Sequence, residues 1–264
     1  MLIIADYARR TRQYVIGCTC YQVRFDSIIV LQLMFLKEGE AMPTLVFLID
    51  VDNTLIDNDH VKDDLDEHLK VEMGEKLTSR FWELYERTRE GSDVIDIPLA
   101  LKWLREKTPL SELDEQTYLH VHSLFDNYPF TNALYPHTLE TLRYLGTLGL
   151  TVILSDGDMY FQAEKIFNSA IAETVEGRVL LYKHKQEHLQ EIMKQYPADH
   201  YAMIDDKPEI LAESKLILGN KLTTIFVQQG KYAAGQKPEN FTPDISVLHI
   251  GDLRNYSSEQ FLHV

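Results

Sequence analysis

Short apolar runs recur along the chain, and polar or turn-forming residues stop each of them. Leu45–Ile49 (LVFLI), Thr151–Ser155 (TVILS), Arg178–Tyr182 (RVLLY), His200–Ile204 (HYAMI) and Leu222–Val227 (LTTIFV) have the length and apolarity of buried strands. Ile245–Ile250 reads as a further strand. From Thr151 onward, stretches with helical spacing lie between these runs. Asp158–Asn168 turns Phe161, Ile166 and Phe167 inward, Gln186–Gln195 does so with Leu189, Ile192 and Met193, and Glu209–Leu218 forms a third helix. Strand and helix in alternation make βαβ units, and therefore a parallel sheet of the α/β class. Gly149, Gly219 and Gly230 punctuate the element ends.

The segment between the first strand and Thr151 has a different texture. Leu65, Leu69, Met73, Leu77, Phe81 and Tyr85 recur every four residues, which is a helical stripe. Pro98 can open a second helix that buries Leu101 and Leu104. Ser111 can cap a third, carrying Leu113 and Phe125. Residues 58–134 therefore read as an all-helical insertion beside the sheet. Leu139, Leu142 and Leu145 form the helix that returns to it and ends at Gly149.

Acidic residues gather where the strands end. Asp50 and Asp52 follow LVFLI, and Asp205 and Asp206 follow HYAMI. Residues two apart on an extended chain face the same side, so Asp50 and Asp52 would offer two carboxylates to one point. The C-terminal edge of an open α/β sheet is where ligands bind. Like charges this close need a cation or a shared proton, and a hard cation such as magnesium takes oxygen ligands of this kind. Ser155 ends TVILS ahead of Asp156, Gly157 and Asp158, where a hydroxyl and backbone N–H groups can hold an anionic oxygen. Lys183 and Lys185 follow RVLLY, and parity puts both on one face of an extended chain, so spacing does not choose between them.

Charge and composition narrow the partners. The net charge is −15, which points away from nucleic acid, since that needs a basic face. A small anionic substrate stays compatible, because a local lysine and a metal can overcome the global field. No run reaches the roughly 18 apolar residues of a membrane helix, the longest (Ile28–Leu36) being broken by Gln32. Cys18 and Cys20 are the only cysteines, too few for a disulfide framework, and the expected location is the reducing cytoplasm.

The first 41 residues show no helical or strand period, and they make a poor signal peptide because their basic residues follow the first apolar stretch. Lys37-Glu38-Gly39 can be encoded as a bacterial ribosome-binding sequence just ahead of the Met42 codon. Residues 1–41 are accordingly expected to be a non-native extension from a mis-assigned start. A genuine extension that adds a strand or helix is the alternative.

The order of these groups resembles the haloacid dehalogenase-like hydrolase superfamily. Asp50, Asp52, Thr54 and Leu55 match its first motif, Ser155 its second, Lys185 or Lys183 its third, and Asp205 with Asp206 its fourth. The resemblance implies a Rossmann-like parallel sheet with helices on both faces, from residues 42–57 and 135–264, plus an inserted helical cap at 58–134. It also implies chemistry. Asp50 is the expected nucleophile, forming an aspartyl-phosphate, and Asp52 the acid that protonates the leaving oxygen and then activates water. Ser155 and Lys185, preferred to Lys183, complete an electrostatic cradle. Mg2+ is expected on Asp50, Asp206 and the main-chain carbonyl of Asp52, with Asp205 assisting. Haloacid dehalogenases lack an acid at the position of Asp52, because a halide needs no proton to leave. The expectation is therefore a phosphatase acting on a small phosphorylated metabolite. A sugar phosphomutase and a non-catalytic phospho-ligand-binding protein are the alternatives.

Overall fold

A computed structural model describes residues 44–92, 95–157, 159–234 and 238–262. The expectations about residues 1–41, the two cysteines and Asp158 lie outside the described residues. Six strands form one sheet: β1 (Leu45–Ile49), β2 (Leu150–Asp156), β3 (Val179–Tyr182), β4 (His200–Asp205), β5 (Leu222–Val227) and β6 (Ile245–Val247). All neighbours are parallel, in the order β3-β2-β1-β4-β5-β6. The chain winds outward from β1 to β3, then returns to place β4 on the other side of β1. That reversal opens a crevice at the C-terminal ends of β1 and β4.

Strand alternation divides the core into two faces. Phe47, Ile49, Ile153, Ala202, Ile204 and Ile225 pack on one side. Val46, Leu48, Val152, Leu154, Tyr201 and Met203 pack on the other. A parallel sheet covered on both faces needs strands apolar throughout, which is why these runs do not alternate with polar residues. The Rossmann-like α/β architecture is therefore present as the sequence predicts.

The helical insertion opens with α1 (Asn58–Ser92), followed by α2 (Ile97–Lys107) and α3 (Glu115–Asp126). A four-residue repeat drifts by about 40° per step on a straight helix, so the stripe from Leu65 to Tyr85 could not stay on one face. The structure resolves this at Gly74, whose φ of 77° and ψ of 162° break the helix. The two arms fold back on each other. Trp82 Nε1 donates to Asp66 Oδ1 at 2.7 Å, across a separation that a straight helix would hold near ~24 Å. Leu65 and Leu69 on one arm and Leu77, Phe81 and Tyr85 on the other are all buried.

The N-cap of α2 is Asp96, whose side chain accepts from Leu99 N, with Pro98 in the first turn. The third helix corrects the sequence reading. Its cap is Asp114, accepting from Thr117 N at 2.7 Å. Ser111 instead lies in a turn closed by Glu112 N and Leu113 N on Pro109 O. A four-residue 3₁₀ turn at Phe130–Ala133 leads to α4 (Thr138–Leu148), which ends at Gly149 as expected.

The remaining helices are α5 (Met159–Asn168), α6 (Ile171–Thr174), α7 (Leu189–Gln195), α8 (Pro208–Leu218) and α9 (Ser258–Leu262). Two boundaries differ from the periodicity. Lys185–His188 is a 3₁₀ turn ahead of α7, because the Lys185 N–H is drawn to Asp156 Oδ1 at 2.8 Å. The last strand stops at Val247, opposite the end of β5, and Ile250 enters a 3₁₀ segment. Among the described residues no helix is long and apolar enough to cross a membrane.

Candidate active site

Register sets the site. Ile49 pairs with Ile204, and the Asp50 N–H continues the ladder by donating to the Ile204 carbonyl at 3.0 Å. Asp50 is thereby level with Asp205 across the switch point. Past Asp50 the backbone does not stay extended. The N–H groups of Thr54, Leu55 and Ile56 all converge on the Val51 carbonyl, and Asn53 has a φ of 60°. This tight loop corrects the expectation that Asp50 and Asp52 aim at one point.

Asp50, Asp205 and Asp206 do converge. Their ligand atoms lie within 4.8 Å of one another, and all three are buried. Lys185 enters this group as its central cation. It is fully buried, its ammonium pairs with Asp50 Oδ1, and it lies 2.7 Å from Asp205 Oδ2 and 3.9 Å from Asp156 Oδ2. Lys183 is exposed at the rim of the neighbouring cavity. The turn at His184 separates the two lysines, so strand parity does not apply across it.

One ammonium does not balance three buried carboxylates. Burial, reinforced by Asp205 despite the opposing pull of Lys185, pushes the Asp50 carboxyl up to about 6. Burial and the charges of Asp205 and Asp50 push Asp206 up to about 9. Burial would lower Lys185, but Asp205, Asp50 and Asp156 outweigh it and raise it well above the usual lysine range. Asp50 Oδ2 and both carboxylate oxygens of Asp206 are buried without a hydrogen-bond partner. Unpaired oxygens on crowded carboxylates are the donor set that suits a hard divalent cation.

Asp52 belongs to a second cluster. Lys165 Nζ donates to its Oδ1 at 2.6 Å and Gln162 Nε2 to its Oδ2 at 2.9 Å. Burial raises the Asp52 carboxyl, but Lys165 and Gln162 reverse this and hold it below the usual carboxylate range. Lys165 is buried and also donates to Asn58 Oδ1 at 2.9 Å, tying α5 to the start of α1. Ser155 is buried at the end of β2, its hydroxyl 3.5 Å from the Asp156 carbonyl.

Sequence reasoning missed Lys165, Gln162 and Lys207. The signal for the first two was their i, i+3 spacing on the helix after β2, which puts them on one face. Lys207 directly follows the acid pair. Burial would lower it, but Asp50, Asp205 and Asp206 raise it.

The first-motif loop is braced from the far side of the site. Gly230 has a φ of +66°, and a Cβ there would come within 2.4 Å of Asn53 Cβ. Asp52, Asn53, Lys165 and Lys207 line one cavity of about 230 Å³, with further walls from α1, α2, α3 and α5 and from Lys183 and Lys231.

A buried acid cluster at the switch point of a parallel sheet, with Lys185 paired among its carboxylates, is the arrangement the motif resemblance leads one to expect. The chain belongs to the haloacid dehalogenase-like hydrolase family. A haloacid dehalogenase-like hydrolase from Burkholderia xenovorans LB400 is 43% identical, with a TM-score of 0.72, over 82% of this chain and 97% of that one. The L-2-haloacid dehalogenase of Xanthobacter autotrophicus, solved with chloropropionic acid covalently bound, is 17% identical with a TM-score of 0.51, over 81% of this chain and 98% of that one. A haloacid dehalogenase-like family hydrolase from Xanthomonas campestris is 14% identical with a TM-score of 0.53, over 83% and 91%. The last two share the fold alone. No family model matches the chain, and no curated protein does.

Proposed function

We propose that the protein is a magnesium-dependent phosphatase that hydrolyses small phosphate monoesters through an aspartyl-phosphate. The observation that carries this reading is Asp52, an acid two residues past the buried Asp50, lining the cavity in which a leaving group would sit. An alcohol leaving group needs a proton, whereas a halide does not. A dehalogenase would have no use for this carboxyl.

Asp50 attacks phosphorus with a carboxylate oxygen, and the bond to the ester oxygen breaks. Asp52 gives that oxygen its proton, and the alcohol departs. Asp52, now ionised, takes a proton from water as the water oxygen attacks the aspartyl-phosphate, and inorganic phosphate leaves with Asp50 restored. In the free protein Lys165 keeps Asp52 ionised. A phosphate dianion arriving beside it raises its pKa again, as a like charge does, and so favours the protonated form for the first step. Ser155 and Lys185 hold phosphoryl oxygens. Asp50, Asp206 and the main-chain carbonyl of Asp52, with Asp205 behind them, would hold magnesium. When bound, the ion neutralises charge on the phosphoryl oxygens.

The test is phosphate release from an aryl phosphate and a panel of phosphorylated metabolites, with magnesium and with chelator, beside halide release from 2-chloropropionate. Magnesium-dependent phosphate release, abolished by Asp50→Asn, is expected. Halide release without phosphate release would overturn the reading.

A further inference from the structure

The cavity carries the opposite charge to the protein. In a chain of net charge −15 its walls hold six cationic side chains against two carboxylates, Asp52 and Asp156. Two of the cations serve the groups already described, Lys165 on Asp52 and Lys207 among the metal-site acids. Farther out, Arg89 has Glu86 at 3.8 Å and Lys231 has Asp59 at 3.5 Å.

Among the described residues Lys183 has no ion pair but is exposed, whereas Lys62 is withdrawn from solvent and has neither an ion pair nor the acids Asp50, Asp205 and Asp206 acting on it. It is half-buried on the first arm of α1, and its ammonium lies 5.4 Å from the centre of the Tyr85 ring. Among the described residues no carboxylate comes within ion-pair distance of it. Its charged surroundings are Lys231, which repels it most, then Asp52, which attracts it, with Lys165 and Glu86 acting more weakly in opposite directions. Burial, then Lys231, lowers it from the usual lysine range. A ring face is a weak partner for a desolvated ammonium beside two like charges, and an anion between Lys62 and Lys231 would relieve both.

This lysine stands on the helical insertion, whereas the acids that would hold the phosphoryl group stand on the sheet. Lys62 lines one cavity with Asp52, which follows the nucleophile's strand, and with Lys207, which follows the acid pair, and the cavity has apolar walls from Leu65, Trp82, Phe125 and Phe161. At about 230 Å³ the cavity lies below the roughly 300–1,000 Å³ of pockets for drug-sized ligands, which suits a small leaving group.

We propose that Lys62, with Lys231 lining the same cavity, forms a second anion subsite, so that the preferred substrate is a short phosphate monoester with a second anionic group on its leaving group. This rests on the phosphatase reading. A carboxylate and a second phosphate share the chemistry Lys62 would recognise.

The test uses two matched series in magnesium. Propyl phosphate, 3-phosphooxypropanoate and 1,3-propanediol bisphosphate are compared as substrates. Propylphosphonate, 3-phosphonopropanoate and propane-1,3-diphosphonate, which cannot be hydrolysed, are compared as ligands by calorimetry. Wild-type protein should favour the second anion at least tenfold in kcat/KM, mostly through KM, and at least tenfold in Kd. The stronger of the carboxylate and phosphate arms identifies the group. Lys62→Met should cut both preferences at least fivefold, and Lys62→Arg should retain most of them. Equal binding of the three phosphonates to wild-type protein, or a preference undiminished in Lys62→Met, would overturn the subsite. Intact phosphonate preference with no phosphate released from any ester would overturn the phosphatase reading and leave the subsite standing.

Discussion

Lys165 holds Asp52 at 2.6 Å, and the pair links the helix after β2 to the loop after β1. The lysine side chain is 2% exposed and the aspartate 25%, so the cation is the buried partner and the acid faces the cavity. That asymmetry suits a proton-transferring group held by a fixed support. Lys165→Met should lower kcat at least tenfold, about 1.4 kcal/mol of transition-state stabilisation. It should also move the low-pH limb of kcat upward, because Asp52 loses the cation that keeps its proton off. A loss of rate with no movement of that limb would mean the lysine only supports the fold.

The two third-motif lysines should separate cleanly. Lys185→Met leaves buried carboxylates without their cation, and breaking such a pair costs about 3–5 kcal/mol. The metal-free variant should melt roughly ten degrees lower, with activity down at least a hundredfold. Lys183→Met removes an exposed side chain and should lose less than tenfold in activity with an unchanged melt. Comparable losses in both would contradict the geometry.

Magnesium should show itself without turnover. The folded protein holds protons on Asp206 up to about 9 and on Asp50 up to about 6, whereas an unfolded aspartate gives its proton up near ~4. Between those values the native state binds more protons, so metal-free stability falls as pH rises. Magnesium binds the ionised carboxylates and releases those protons. Its stabilising shift in melting temperature should therefore be larger at pH 8 than at pH 5. Equal shifts at the two pH values would count against these acids as the ligands.

Two glycines should be sensitive for different reasons. Gly74 sits at φ 77° and ψ 162°, a backbone region essentially reserved for glycine, with open space around its Cβ position, so Gly74→Ala costs backbone strain alone, about 1–3 kcal/mol. A melt lower by a few degrees with catalysis unchanged is expected. Gly230 is at φ +66° against Asn53, and Gly230→Ala must also push the first-motif loop. It should lose activity as well as stability, and retention of full activity would show that the loop tolerates displacement.

The strands, the α/β class, the helical character of residues 58–134 and the acids Asp50, Asp205 and Asp206 were legible from sequence. Buried parallel strands must be apolar throughout, and strand ends are where polar residues resume. The family resemblance likewise lay in Asp50, Asp52, Ser155, the lysine pair and the final acids. What the linear chain could not decide was distance. Asp50 and Asp52 are two residues apart, yet the loop closed on Val51 O sends their carboxylates to different partners. Lys183 and Lys185 are likewise two apart, and a turn at His184 buries one and exposes the other. Lys165 and Asp52 are 113 residues apart and touch. Local pattern fixes which face a residue takes within one element. Only the packing of elements, set by sheet register and by the reversal at Gly74, decides which charges share a buried space, and there the cost of an unpaired charge settles which partners meet.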